Sequence, residues 1–387
     1  MRKTHTKQGI YTSTNKERKN NMSNLLRTSE YVTIGHPDKM ADYISEYILD
    51  RILEKDPNVR YALECQIKDD HVTVAGEVTT SYAGFTSFVP EWVREAVNRI
   101  GYTKEYQRRF GKNCTICGDE LAVSQLIAEQ SPDISVGVNR KGWGDQGIFF
   151  GMWSDETEEG YTKEYQLAKL IGNQLFIQAS TGLYPIGLDI KTQVTYDVLD
   201  KEVKKVIVAI PTPQMEEKDQ KRWEKTIIYW IKHWFPETKK AKFIVNGTGA
   251  YHVHGPVGDS GTTGRKLVVD FYGAGCRIGG GSPWTKDGTK ADLTLNIFAR
   301  ELAKLAFFHW KDEMPSIGKV ETELSCCIGK QEIICVTTAY DMEGFPIHRT
   351  ADERKVSTDF LIERYHLKEP NFAARCANGL FSIEESR

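Results

Sequence analysis

Met40, Ile44, Ile48 and Ile52 recur every four residues. That spacing lays an apolar stripe along one side of a helix and predicts one over about 38–54. Two β-rich runs follow, near 60–67 and 71–78, joined by the polar turn Lys68-Asp69-Asp70, and read as a hairpin. Phe88, Trp92, Val93, Ala96, Val97 and Ile100 form a second helical stripe, with Gly101 as its stop. A third helix is expected over about 119–129, and the Gly-, Asp- and Ser-containing stretch 131–160 reads as loop-rich. Beyond it the pattern predicts a helix at 163–179 and strands at 191–197 and 204–210. A helix through Trp223, Ile227, Trp230, Ile231 and Trp234 and a strand at 242–246 follow. The last third predicts a helix at 293–311, strands at 321–327 and 332–338, and a final helix at 356–366. Helices and hairpins come in clusters without strict strand–helix alternation, which indicates an α+β fold with helices on one face of mainly antiparallel sheets.

A length of 387 residues fits two or three domains, and 40% hydrophobic with 11% aromatic residues supplies a sizeable core. Basic and acidic residues nearly cancel, 51 against 53. A broad polyanion-binding surface would carry a basic surplus, so nucleic acid is excluded as the main partner. No run approaches 18 apolar residues, which argues against a membrane span. The first 27 residues are basic and lack an apolar segment, and read as a flexible extension over 1–24, not a secretory signal. Eight cysteines in a chain without such a signal point to reduced thiols and a cytoplasmic protein. Cys114 and Cys117 form one CxxC without a second pair to complete a zinc site.

Three constellations carry chemistry. Gly35-His36-Pro37-Asp38-Lys39 precedes the first helix, where free N–H groups favour anions; Asp38 reads as a cap or as a ligand of Mg²⁺. Gly258-Asp259-Ser260-Gly261-Thr262-Thr263-Gly264-Arg265-Lys266 leads into an expected strand, Leu267–Asp270. It departs from a Walker A loop in spacing, in having Arg after the last glycine and in the expected strand, and it lacks the second glycine of a nucleophile elbow. Gly279-Gly280-Gly281 precedes Lys286, Asp287, Lys290 and Asp292, with Lys286 and Lys290 on one face if a helix starts there. Arg265, Lys266, Lys286, Lys290 and Lys39 would together form a cationic pocket for a chain of phosphates, with Asp38 and Asp292 on Mg²⁺. No Ser-His-Asp or Cys-His arrangement is evident, so the expected chemistry is positioning and charge neutralisation.

These stretches resemble the S-adenosylmethionine synthetase (methionine adenosyltransferase) family. The shared motifs are Thr28-Ser29-Glu30, GHPDKMAD, Glu64, GEVTT, EQSPDI, GDQGIFFG, DIKTQVTY, GPVGDSGTTGRK and IGGGSPWTKDGTKAD, in family order from about residue 26 to 295. The resemblance implies three similar α/β domains around a pseudo-threefold axis, here 25–135, 136–252 and 253–387. It implies that the sulfur of L-methionine attacks C5′ of ATP and displaces tripolyphosphate, which is then hydrolysed to pyrophosphate and phosphate. By motif, His36, Lys191, Arg265, Lys286 and Asp145 fall on catalytic positions. Asp189, Tyr251, Asp259, Lys266 and Ser282 join His36, Lys191, Arg265 and Lys286 around ATP. Glu77, Gln130, Asp259 and Lys290 fall around methionine, Asp38 and Asp292 on two Mg²⁺, and Glu64 on K⁺. Family active sites lie between subunits, which implies a homodimer or homotetramer.

The chain departs from the family pattern in a short loop, Arg140-Lys141-Gly142-Trp143, before Gly144. It also departs in Ala250 and Ile278, where bacterial members usually carry Arg and His, and in its C-terminus. Two rival readings remain at this stage. A nucleotide or polyphosphate hydrolase would use the same cations but leave Glu77 and Gln130 without a role. A non-catalytic regulatory paralogue would accommodate the short loop and the altered C-terminus.

Overall fold

The computed structural model describes residues 25–129 and 142–382. Among the described residues, twelve strands form three four-stranded sheets. The first orders β1 (Leu26–Val32), β6 (Lys191–Asp197), β7 (Glu202–Ala209) and β8 (Lys242–Val245). The second orders β12 (Pro346–Lys355), β11 (Glu332–Asp341), β10 (Ile317–Cys326) and β5 (Gly147–Ser154). The third orders β4 (Ala122–Ala128), β3 (His71–Thr79), β2 (Arg60–Lys68) and β9 (Gly261–Thr262). Pairing is antiparallel except β3 with β4 and β7 with β8. The sheets do not follow the chain in blocks: β1 joins strands some 160 residues later, and β5 pairs with β10.

Helices cover one side of each sheet. The apolar stripe of α1 (Pro37–Leu53) lies on β2, with Met40, Ile44, Ile48 and Ile52 fully buried, and α2 (Val89–Ile100) packs beside it. Gly101 ends α2 at φ 118, a conformation that glycine adopts without strain. After α3 (Lys104–Phe110), α4 (Lys163–Ser180) covers β1 and β6, and α5 (Glu217–Trp234) lies beyond β8. The one-turn α6 (Leu267–Asp270) precedes α7 (Ala291–Lys311), which covers β5 and β10. Two short helices, α8 (Thr358–Arg364) and α9 (Phe372–Asn378), complete the order, and α9 packs on α1.

Most of the expected elements stand within a few residues of their predicted bounds. Four segments differ. The helix expected at 119–129 is strand β4: its apolar residues are one-sided enough to mimic a helical stripe, but the free edge of β3 takes the segment as a parallel partner from His71↔Ala122 to Glu77↔Ala128. The strand expected at Leu267–Asp270 is α6, closed by Asp270 N to Lys266 O. Buried contacts override the strand preference of its two valines, because Lys39 Nζ and Trp284 Nε1 both draw the Asp270 carboxylate inward. The loop-rich stretch 131–160 contains β5. The ten-residue β12 has too few apolar positions to announce a strand and forms by pairing with β11 through a turn at Gly344.

The C-terminal helix depends on one carboxylate. Asp50 accepts N–H bonds from Phe372 (2.8 Å) and Ala373 (2.9 Å), the unsatisfied donors at the start of α9. Asp50→Ala is expected to cost about 1–2 kcal/mol and to raise hydrogen exchange in α9 before the rest of the molecule. Exchange in α9 unchanged from the parent protein would show that the helix is held by its apolar contacts alone.

Candidate active site

The site is assembled where the Gly-rich loop crosses the start of α1. His36 caps that helix: its Nδ1 accepts the Asp38 N–H at 3.1 Å, and Pro37 supplies the preset φ of the first turn. Two carboxylates one helical turn apart then hold the loop. Asp38 Oδ1 accepts Thr262 N (2.9 Å), and Asp42 Oδ1 accepts Gly264 N (2.8 Å). Gly261 is required at this crossing, because a Cβ there would lie 2.1 Å from the carbonyl oxygen of Pro37.

This docking gathers the cations. Lys266 Nζ lies 2.5 Å from Asp38 Oδ2, and Arg265 Nε 3.5 Å from Oδ1. Against the opposing effect of burial, the bonds from Lys266 and Thr262 hold the Asp38 carboxyl below its ordinary range. Burial, reinforced by the charges of Lys191, Lys266 and Arg265, pushes His36 down to about 3. His36 is therefore a neutral imidazole, and because Nδ1 accepts the Asp38 N–H, its proton sits on Nε2.

Lys39 does not belong to this group. It is 3% exposed, bonded to Asp42 (3.0 Å) and Asp270 (2.6 Å), and lies over the Trp284 ring. Its charge is spent on fastening α6 to α1, which removes it from the expected cationic pocket. Lys286 and Lys290 do not share a helix face either, since α7 begins at Ala291 with Lys290 as its cap. Lys286 instead bridges to Ala62 of β2 and pairs with Asp292.

Beside the crossing lies a cavity of about 390 Å³ whose lining includes Pro37, Asp189, Lys191, Asn246, Tyr251 and Asp259. Asp189, 3% exposed, accepts the Tyr251 hydroxyl (2.5 Å) and Gly255 N (2.9 Å) through Oδ2. Its buried Oδ1 has no partner among the described residues. Ala250 also lines this cavity, so no cation stands at that position. Behind it, fully buried His254 bonds to the Tyr106 hydroxyl (2.7 Å) and to the His252 carbonyl (2.7 Å), while Tyr106 accepts Leu188 N and fixes the chain next to Asp189.

The other expected residues are placed as follows. Asp292 lies against Gly281, where a Cβ would meet its Oδ1 at 1.9 Å. Asp145 is exposed, yet its charge and that of Asp292 both act on Cys326, whose thiol burial pushes up to about 12. Ser282 approaches Gly264. Glu64 and Glu77 stand on the sheet face away from α1, with Glu77 opposite Ala62 and so near the Lys286 bridge. Glu64 is bonded by the Thr263 hydroxyl and, at 3.2 Å, by the Thr285 hydroxyl. Gln130 lies outside the described residues, as do Arg140 and Lys141 of the short loop before Gly144. Asp42, Asp270, Trp284 and Thr285 were not singled out by sequence reasoning, although the four-residue spacing of Asp38 and Asp42 is a usable signal.

The donor set suits a hard cation shared with phosphates: Asp38 and Asp292 offer carboxylate oxygens amid lysines, and Mg²⁺ uses one or two carboxylates plus substrate oxygens. Glu64 fits a monovalent cation poorly, because both its oxygens are engaged by threonine hydroxyls.

With this geometry established, comparison with known proteins gives the lineage. The chain matches the S-adenosylmethionine synthetase N-terminal domain over residues 24–132, the central domain over 140–251 and the C-terminal domain over 253–387, and it belongs to that family. Among solved structures it is similar to an S-adenosylmethionine synthetase from Campylobacter jejuni described as unusual. That likeness has a TM-score of 0.77 and 29% identity, over 92% of this chain and 94% of the other. Among the described residues no helix is long and apolar enough to cross a membrane.

Burial pushes His254 down to about 4, below the roughly 6.5 of an unfolded histidine. Between these values the unfolded chain binds a proton that the folded one refuses, so this group lowers stability as pH falls from 6.5 towards 4. His254→Gln should reduce the slope of unfolding free energy against pH in that window by about 1.4 kcal/mol per unit. An unchanged slope would mean that His254 titrates normally in the fold.

Proposed function

We propose that this chain is a methionine adenosyltransferase, making S-adenosyl-L-methionine from ATP and L-methionine by attack of the sulfur on C5′. The observation that carries the reading is the group formed by neutral His36, Arg265 and Lys266 around Asp38, with the charge of Lys191 also acting on His36. A thioether sulfur needs no base, so the barrier lies in separating charge onto the departing polyphosphate. Nε2–H of His36 donates to the oxygen that leaves C5′. Because His36 is neutral, it supplies this bond without giving up a proton. Lys191, Arg265, Lys266 and Lys286 neutralise the growing charge, and Arg265 does so with the fixed fork of its guanidinium. Asp38 and Asp292 would hold Mg²⁺, which would supply further positive charge against that developing on the polyphosphate. Asp189, Tyr251 and Ser282 belong to the nucleotide side, and Glu77, Gln130, Asp259 and Lys290 to the methionine side. Asp145, in the GDQG motif, is read with the catalytic group.

The sheet face carrying Glu64 and Glu77 is open, and Leu126 of β4 beside it is 71% exposed. Self-association over this face would cover the apolar surface and complete the methionine pocket, as expected of a homodimer or a tetramer built from it. The enzyme works in the cytoplasm, with neither nucleic acid nor membrane as a partner.

Turnover of ATP should yield the sulfonium product only with methionine present. His36→Asn should lower adenosyl transfer by about 10²-fold, the scale of one lost transition-state donor, and affect hydrolysis of added tripolyphosphate far less. Equal losses in both reactions would leave His36 with a shaping role only, and phosphate release without sulfonium would indicate a hydrolase. At the three glycines, Gly281→Ala forces Asp292 aside, whereas Gly280 has open space around it. Gly281→Ala should raise the Mg²⁺ needed for half-maximal turnover by about tenfold or more, and Gly280→Ala should leave it unchanged. The same Mg²⁺ requirement in both variants would remove Asp292 from the metal.

A further inference from the structure

The resemblance gives Glu64 a potassium ion, and the side chains around Glu64 point elsewhere. Oε2 accepts the Thr263 hydroxyl and Oε1 the Thr285 hydroxyl. A potassium ion replaces its hydration shell with a set of oxygens directed at one point, whereas these hydroxyls donate into the carboxylate. A second carboxylate that holds Thr285, Glu46 of α1, is fully buried and accepts Thr285 N at 2.5 Å. Burial holds its carboxyl well above the ordinary range.

Thr285 itself is unusual. Its φ is 72°, and it is the only β-branched residue with positive φ among the described residues. A branched side chain avoids this conformation, which persists only where the surroundings over-determine it. Here Glu46 fixes its N–H and Glu64 its hydroxyl. The next residue is Lys286, whose backbone bridges to Ala62, two residues from Glu64 on β2, and whose Nζ pairs with Asp292. The Thr285–Glu64 bond thus fastens the Lys286 segment directly to β2.

We propose that the Thr285 hydroxyl takes the place of the monovalent cation on Glu64, so that this enzyme positions Lys286 without K⁺. The proposal rests on the transferase reading for its kinetic arm but not for its stability arm. The experiment uses the full-length protein in KCl and in tetramethylammonium chloride at equal ionic strength, comparing the parent protein, Thr285→Gly and Thr285→Ser. Glycine keeps the left-handed backbone without strain and removes the hydroxyl; serine keeps the hydroxyl. Sulfonium formation and thermal midpoint are both recorded.

The parent protein and Thr285→Ser should show less than about twofold activation by K⁺ and midpoints equal in the two salts, since an ion that does not bind the folded state cannot stabilise it. Thr285→Gly should become K⁺-dependent, by about fivefold or more in rate, with a midpoint raised in KCl. Strong K⁺ activation of the parent protein, or a higher midpoint in KCl, would overturn the proposal. So would a Thr285→Gly variant that folds and stays indifferent to K⁺ in both readouts. Absence of sulfonium in every salt would refute the transferase reading instead, while the midpoints would still decide the matter of the cation.

Discussion

Everything at the site hangs on two carboxylates of α1 that accept backbone N–H groups from a loop more than two hundred residues later. Asp38 holds Thr262, and Asp42 holds Gly264. The crossing is possible only because residue 261 lacks a Cβ. Once the loop is docked, Arg265 and Lys266 fall beside Asp38 without further construction, and their charges, added to burial, keep His36 neutral. Lys39 completes the clamp from the other side by holding Asp270. The strands reinforce it: β9 pairs with β2, and the same loop reaches Glu64 through Thr263. A rigid joint between a helix start and a glycine loop is therefore what sets the spacing of the cations.

That joint also explains the division of labour among the lysines. Lys39 is buried between two carboxylates and serves the fold, where losing it would leave both uncompensated. Lys191 is exposed, and Lys266 and Lys286 are partly exposed, so the last two can exchange a carboxylate for a phosphate oxygen. The same logic separates the carboxylates. Asp42 and Asp270 are spent on Lys39, whereas Asp38 and Asp292 are paired with lysines that a polyphosphate would draw away.

Much of this was legible in the sequence because the relevant signals are local. The stripe from Met40 to Ile52 needs only the helical period, and the hairpin of β2 and β3 needs only its turn. The three site motifs are contiguous, so their residue types announce cations and a glycine loop before any fold is known. What stayed hidden depends on distant partners. β4 is a strand because β3 has a free edge, and α6 is helical because Lys39 and Trp284 capture Asp270. Lys39 is read as a ligand until its burial is seen. The positive φ of Thr285 leaves no mark in the composition, and the assignment of Gln130 lies beyond the described residues.

The central claim is that the whole polyphosphate leaves from C5′, with the cations gathered at α1 taking up its charge. ATP carrying ¹⁸O in the bridge between C5′ and the α-phosphorus distinguishes this bond from every other in the molecule. With methionine and Mg²⁺ present, mass spectrometry of the products should find the label in the released phosphate species and none in the adenosyl product. Label retained on an adenosine nucleotide would place the cleavage at phosphorus and contradict the account.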